Sequence, residues 1–437
     1  MTQIYEPALD ELIHDWSTLD KQERLARFRS LPPGQDDDFF LSLEAHDEAT
    51  LVVSMPASER RLWIRLLAPD DAADLIQNAP KSAQAELLAE LDDATRKEVT
   101  ALLAYQEDVA GGRMSPRFAR VRPDSTMDEA IAYLRRQAAQ VETIYYAYAL
   151  DEEQRLLGVV SFRDLFSADR TKTVRQVMRT RFVSVLANTD QEQVAKLFRE
   201  HHLLAIPVLD AELRMQGIVT IDDIVSVLQQ ETSEDIQKIG GMEVLDRPYL
   251  EIGFLQMVRK RAGWLAILFV GEMFTATAMG FFEGEIAKAV VLALFLPLII
   301  SSGGNSGSQA TTLVIRAMAL GEVRLRDWYR VVRRELGAGI VLGAGLACIG
   351  MARILIWQSI KGAYGVHYLL VASTIAVSLV GVVTFGTVAG SMLPFLLRRC
   401  GLDPASASAP FVATLVDVTG LIIYFSCAGL ILRGTLL

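Results

Sequence analysis

The sequence predicts a multi-domain membrane protein. It reads as an α-helical, superhelical N-terminal domain, a pair of small α/β modules, an acidic linker helix and a membrane domain of five α-helical spans. Three observations predict this. Five apolar stretches follow one another near 263–282, 286–320, 336–357, 368–397 and 410–432, each about the 20 residues or more that a helix needs to cross a bilayer. A pattern in the first half recurs at a spacing of 59 residues. The charge is divided: residues 251–437 hold 15 Lys/Arg and 9 Asp/Glu, net +6, and residues 1–250 hold 28 and 44, net −16. The expected domains are 1–113, 114–230, 231–250 and 251–437.

Hydrophobic residues make up 51% of the 437, which excludes a collagen-like or fully disordered chain. Cys348, Cys400 and Cys427 are too few for a disulfide framework and fit a reducing cytoplasm and a membrane. The polar, acidic N-terminus does not read as a secretory signal. An acidic soluble half repels phosphates, so nucleic acid is not an expected partner; cations are.

Residues 1–113 carry short apolar-periodic segments cut by Pro32, Pro33, Pro56, Pro69 and Pro80, the pattern of stacked short helix pairs. Acids gather at the expected turns: Asp36–Asp38, Asp70, Asp71, Asp92 and Asp93. Such clusters cap helices, and they also offer ligands to a cation.

In residues 114–230, strand-like IYYAYAL and LLGVVSFRDL of the first copy answer AIPVLD and MQGIVTIDDI of the second. Gly158 and Gly217 are 59 apart, as are Asp164 and Asp223. An amphipathic helix precedes each copy's strands, near 126–137 and 190–201. The linker segment QQETSEDIQKIGGMEVL, residues 229–245, then brings Glu231, Glu234 and Asp235 near one helix face just before the first span. Like charges so placed repel unless cations screen them.

Basic residues set the orientation of the spans. Arg259, Lys260, Arg261, Arg316, Arg324, Arg326, Arg330, Arg333, Arg334, Arg398 and Arg399 fall on the side of the soluble half, against Lys288, Lys361 and Arg433 opposite. The N-terminus is therefore expected in the cytoplasm and the C-terminus outside.

Two spans carry polar groups that hydrocarbon does not tolerate idly. LFLPLIISSGGNSGSQATTLVIRAM, residues 294–318, combines Pro297 with Gly303, Gly304 and Gly307. This favours non-helical backbone of the kind that surrounds an ion in a broken helix; the competing reading is a small-residue packing seam. In DPASASAPFVATLVDVTGLIIYF, residues 403–425, Asp417 lies mid-run with no basic residue in the same span. Its natural partner is a hard cation such as Mg²⁺ or Ca²⁺. Glu272, inside the first span, either lines the same cavity or bonds a neighbouring helix. Arg353 is expected to snorkel, and Gly337, Gly339, Gly343 and Gly345 to pack helices.

The repeated copies resemble paired CBS modules through Gly158-x-x-Ser161-x-x-Asp164 and Gly217-x-x-Thr220-x-x-Asp223. The whole order resembles the MgtE-type magnesium channel and transporter family. The carrying residues are PLIISSGGNSGSQ from Pro297 to Gln309 and DPASASAPFVATLVDVTGLIIY from Asp403 to Tyr424, supported by ETSEDI from Glu231 and DVAGGRM from Asp108.

The resemblance implies a homodimer with its pore between the second and fifth spans of both chains. Asp417 of each would hold a largely hydrated Mg²⁺, with backbone around Gly304, Asn305, Gly307 and Ala413. It implies closure by cytosolic Mg²⁺ through the linker as a plug helix, sensed at Glu192, Asp223, Glu231, Glu234, Asp235 and Asp403, with Asp70 and Asp71 on the N-domain. It implies adenine nucleotide, ATP included, as a regulator near Tyr146, Ala147, Arg163 and Asp164. The chain departs from the family pattern at Ala409, His202, Ser226 and Leu203. These bear on how the hydrated ion is held, on regulatory ions and on adenine binding.

The expected function is passive Mg²⁺ import driven by the membrane potential, without enzymatic activity, since no Walker motif is present. Transport of Mn²⁺, Co²⁺ or Ca²⁺, or a CBS-type membrane sensor that transports nothing, are the alternatives.

Overall fold

The computed structural model describes residues 12–436 except 14, 246, 248, 251 and 363. It divides into two compact units, Met1–Gln230 and Glu231–Leu437.

The first unit opens with short helices, among them Lys21–Phe28, Gln35–Leu41, Ala45–Ser54, Ala57–Ile64, Pro69–Asn78, Lys81–Glu90 and Asp93–Leu102. The prolines begin these helices rather than break them. Pro56 and Pro80 are N-caps and Pro69 is the first helical residue, where a missing N–H costs nothing. Asp20 and Asp92 cap their helices through side-chain oxygens, and Asp36–Asp38 fill a first turn, as the charge pattern predicts. Phe28, Phe39, Phe40 and Trp63 pack edge-on in the buried core, with Trp63 4.9 Å from Phe28 between centroids.

Two three-stranded sheets follow, β1 (Arg120–Val121), β2 (Tyr146–Leu150) and β3 (Leu156–Ser161), then β4 (Val185–Leu186), β5 (Ala205–Leu209) and β6 (Met215–Thr220). In each, the first pair is parallel and the second antiparallel. The repeat is faithful to register: Gly158 faces Ala149 and Gly217 faces Val208. Both glycines admit a crossing chain. A Cβ on Gly158 would lie 3.1 Å from the Arg179 carbonyl, and one on Gly217 2.6 Å from that of Ser115.

The linker helix (Ile221–Ile239) begins within the first unit and ends in the second at Gly240 and Gly241, the latter at φ +72°. Among the described residues, five helices are long and apolar enough to cross a membrane. They are the first (Phe254–Phe281), second (Leu296–Ala319), third (Trp328–Lys361), fourth (Tyr368–Arg399) and fifth (Ala409–Ile431). The fourth is the most buried and packs against the second, third and fifth.

The second span corrects the sequence-based expectation of a broken helix at its glycines. It is continuous from Leu296 through Gly303, Gly304 and Gly307 to Ala319. The interruption comes earlier, where the short helices Glu283–Lys288 and Val290–Ala293 precede it. Pro297 sits in the first turn, which it suits. Gly303 and Gly307 instead form a seam with Gly386 and Gly390 of the fourth span. A Cβ on Gly307 would lie 2.8 Å from the Gly386 carbonyl. Thr311 Oγ1 donates to the carbonyls of Gly307 and Gly390 at 2.9 and 2.8 Å, and Ser306 and Thr387 hydroxyls bond at 2.8 Å. The small residues bring backbones together and the hydroxyls lock them.

Candidate cation sites

The opposite face of the second span lines a cleft. Ser301, Gly304 and Asn305 follow helical spacing, as do Ala413 and Asp417 of the fifth span. All border one space of about 610 Å³, together with Glu272 of the first span. Six waters at roughly 30 Å³ each occupy about 180 Å³, so a cation with its first hydration shell fits. No Lys, Arg or His lines the cleft.

Close helix approaches build it. A Cβ on Gly304 would meet Ala413 at 3.5 Å, ordinary contact. Gly271 is tighter: its Cβ would lie 2.7 Å from Thr414 Cγ2, so glycine there seats the first span on the fifth. The next residue, Glu272, thereby reaches the fifth span. Thr414 Oγ1 lies 3.4 Å from Glu272 Oε1 and 3.1 Å from the Pro410 carbonyl. The Glu272 and Asp417 carboxyls thus border one cleft, where like charges repel and a cation between them would reverse the sign of the interaction.

The structure places Asp417, Ala413, Asn305 and Gly304, the residues the family resemblance implies for the pore, along one cleft. It does not bring Gly307 to the cleft, because that residue is buried in the glycine seam. Helical carbonyls of the second span accept from its own backbone, and the side chains of Asn305, Asp417 and Glu272 supply the amide and carboxylate oxygens that line the cleft.

A second acidic assembly lies in the first unit. Asp70 is 7% exposed and its Oδ1 lacks a hydrogen-bond partner. Burial, then Asp71, Glu142 and Asp223, hold its carboxyl well above the usual range. Burial with Asp71 and Asp74 pushes Glu48 up to about 9. Asp71 and Asp74 rise to about 6, each first through desolvation. For Asp71 the charges of Glu142, Asp74 and Asp222 add to this. Asp74 is raised although Arg113 Nη1 pairs with it at 2.9 Å. Asp223 rises to about 7 through desolvation, against the lowering hydrogen bond from Thr220 and with Asp222 and Asp71 adding to the rise. Glu142 is raised as well, chiefly by burial.

Asp70, Asp71 and Asp223 thus act on one another, whereas Glu192 is exposed in the first turn of Gln191–His201. Sequence reading missed Glu48, Asp74 and Glu142. Asp74 had a signal, being one turn on from Asp70 and Asp71; the others come from distant segments. Among the described residues no three His, Cys, Asp or Glu side chains form a ready-made metal cage.

At the linker, Lys238 Nζ bonds Asp403 Oδ2 at 2.6 Å and also pairs with Glu234 one turn back. Two expected sensors therefore share the chain's own ammonium. Glu231 and Asp235 are half-buried on the same helix. In the first α/β module, Ser161 Oγ donates to Asp164 Oδ2 at 2.7 Å and caps the following helix, while Arg179 reaches the same carboxylate at 3.3 Å. Tyr146 pairs with Ser161 across the sheet, Ala147 is buried and Arg163 is exposed. The hydroxyl, not the Asp, is the helix cap, and Thr220 with Asp223 repeats the bond at 2.6 Å.

Comparison with known proteins follows this layout. The family model described as MgtE, divalent cation transporter, matches residues 296–427. The MgtE intracellular N domain matches 9–108, and the CBS domain matches 107–170 and 174–230. The chain is 40% identical to the magnesium transporter MgtE of Thermus thermophilus, over 97% of this chain and 93% of that one. It is 30% identical to the magnesium transporter MgtE of Bacillus subtilis, over 90% and 84%. Among solved structures, it is similar to the cytosolic domain of the Mg²⁺ channel MgtE in complex with ATP, at 37% identity and TM-score 0.48, over 51% of this chain and 91% of that one.

Proposed function

Because this chain belongs to the MgtE family of magnesium transporters, we propose that it conducts Mg²⁺ passively into the cytoplasm and closes when cytosolic Mg²⁺ is plentiful. Selectivity for Mg²⁺ over Mn²⁺, Co²⁺ and Ca²⁺ is part of this reading, as are a homodimer, a cytoplasmic N-terminus and the absence of enzymatic chemistry. The observation that carries it is the cleft in which Asp417 faces Asn305 and Glu272 with no basic residue in its lining. A carboxylate at mid-bilayer costs about 3 kcal/mol or more without a partner. A divalent ion wrapped in water supplies that partner, and the potential drives it inward at about 2.3 kcal/mol per charge per 100 mV.

Closure follows from the acidic assembly of the first unit. Glu48, Asp70, Asp71, Asp223 and Glu142 are crowded together and hold protons that a cation can replace, so Mg²⁺ favours the compact arrangement over an open one. Glu192 in the first unit, and Glu231, Glu234, Asp235 and Asp403 in the second, are the further sensors of this reading. Adenine nucleotide is the ligand assigned to Tyr146, Ala147, Arg163 and Asp164, supported by the hydroxyl–carboxylate pair at the end of β3.

The test is Mg²⁺ flux into liposomes holding the full chain, with internal Mg²⁺ varied and Mn²⁺, Co²⁺ and Ca²⁺ as competitors. Flux that falls as internal Mg²⁺ rises supports both halves of the reading. Absence of flux overturns transport, and flux indifferent to internal Mg²⁺ overturns the closure.

A further inference from the structure

We propose that Glu272 is a second cation-facing carboxylate of the cleft, acting with Asp417 on the water shell of a divalent ion and setting the preference for divalent over monovalent cations. The inference rests on the transport reading of the cleft and adds a residue from the first span to it.

Glu272 belongs to a helix that buries none of its residues and packs chiefly on the fifth span. A charged side chain on such a helix has three outlets: lipid, a basic partner or an aqueous path. Glu272 is exposed on its helix, but it borders the same cleft as Asp417 and Asn305, which turns it from lipid toward that space. A basic partner is excluded by the lining, which carries none. The aqueous path remains.

Its position is held from both sides. Gly271 permits the close approach that sets Glu272 against the fifth span, and Thr414 stands 3.4 Å from its Oε1 while anchored to the Pro410 carbonyl. Thr414 and Asp417 are three residues apart and so share a helix face. Glu272 therefore sits beside Asp417 rather than sweeping past it. Two negative charges match a divalent ion, whereas a monovalent ion leaves one of them uncompensated. Hydrogen bonds to the ion's waters need carboxylate oxygens at a distance from the metal, and side chains entering from two helices supply them without stripping the shell.

The experiment uses the full chain in liposomes, comparing wild type, Glu272→Gln, Glu272→Asp and Asp417→Ala for Mg²⁺ flux and for Na⁺ or K⁺ leak. Glu272→Gln is expected to raise the half-saturating Mg²⁺ about tenfold and to increase monovalent leak, with thermal unfolding in detergent unchanged. Glu272→Asp is expected to restore most of the affinity, which a merely structural role would not require. Glu272→Gln with wild-type affinity and leak overturns the proposal. A second measurement is independent of transport: labelling of Glu272 by a hydrophobic carbodiimide, with Mg²⁺ or with Na⁺ at equal ionic strength. Suppression by Mg²⁺ alone supports the assignment even if flux is absent and the transport reading fails. Equal labelling in both salts overturns it.

Discussion

The Lys238 ammonium donates to Asp403 Oδ2 at 2.6 Å while pairing with Glu234 on its own helix, so the end of the linker helix is tied to the membrane unit by a fixed cation. Burial alone would lower the affinity of Lys238 for its proton, but hydrogen bonds and charge from Asp403 and Glu234 prevail and raise it. The ammonium therefore persists at every pH the protein meets. Ile239, next along, packs beside Ile315, Ala405 and Ala407.

Lys238→Met keeps the apolar stem and removes the charge, leaving Asp403 and Glu234 to repel. Partly exposed ion pairs contribute about 1 kcal/mol or less. Hydrogen exchange across 234–241 should then quicken roughly fivefold in metal-free buffer, the factor equivalent to ~1 kcal/mol, and slow again with millimolar Mg²⁺. Wild type should show a smaller Mg²⁺ dependence in that segment than the variant. Exchange in the variant that stays at the wild-type rate without Mg²⁺ would sink the idea.

Asp417→Ala should abolish Mg²⁺ flux while leaving the fold in place, because the side chain borders a cleft and is not part of the packed core. Asp417→Asn should be nearly as severe, since it keeps the shape and loses the charge that offsets ion dehydration and mid-bilayer burial. Uptake of ²⁸Mg or growth of a Mg²⁺-auxotrophic host reads the outcome. Normal growth on the Asn variant would mean that the charge is dispensable.

The raised carboxylates of the first unit make its stability depend on pH. Glu48 at about 9, Asp223 at about 7, and Asp71 and Asp74 at about 6 all exceed their unfolded values near 4. Between pH ~4 and ~9 the folded unit thus binds more protons than the unfolded chain, and stability falls as pH rises. In metal-free buffer, resistance of residues 12–230 to protease should decline from pH 5.5 to 8.5. Mg²⁺ should restore it most at the alkaline end, by replacing the lost protons. A profile that climbs with pH would contradict the cluster.

The five spans, the paired modules and the mid-span Asp417 could be read in the sequence because each depends on local pattern, namely run length, a 59-residue echo or a lone carboxylate in an apolar run, whereas Asn305 and Ala413 beside it came from the family resemblance. The acidic assembly could not, because Glu48, Asp70, Glu142 and Asp223 meet only after distant segments pack. Lys238 was visible one turn from Glu234, but its second partner lies 165 residues on. The glycines of the second span misled for a definite reason. Flexibility and close packing leave the same letters in a sequence, and only the neighbouring Gly386 and Gly390 tell which is in use.

That distinction makes the last prediction. If Gly307 served a broken backbone, alanine there would cost little more than at Gly304. In a packed seam the two differ. A Cβ on Gly304 meets only Ala413, at 3.5 Å, whereas one on Gly307 meets Val412 at 2.7 Å and the Gly386 carbonyl at 2.8 Å. Backbone cannot swing aside as a side-chain tip can, and overpacking of this kind costs about 1–3 kcal/mol. Gly307→Ala and Gly386→Ala should therefore lower the unfolding temperature in detergent by several degrees, while Gly304→Ala stays near wild type in stability and shows its effect in flux, since that Cβ intrudes beside the cleft. Equal stability of the Gly304 and Gly307 variants would dismiss the seam, and a Gly307 variant that is stable yet non-conducting would return that residue to the ion path.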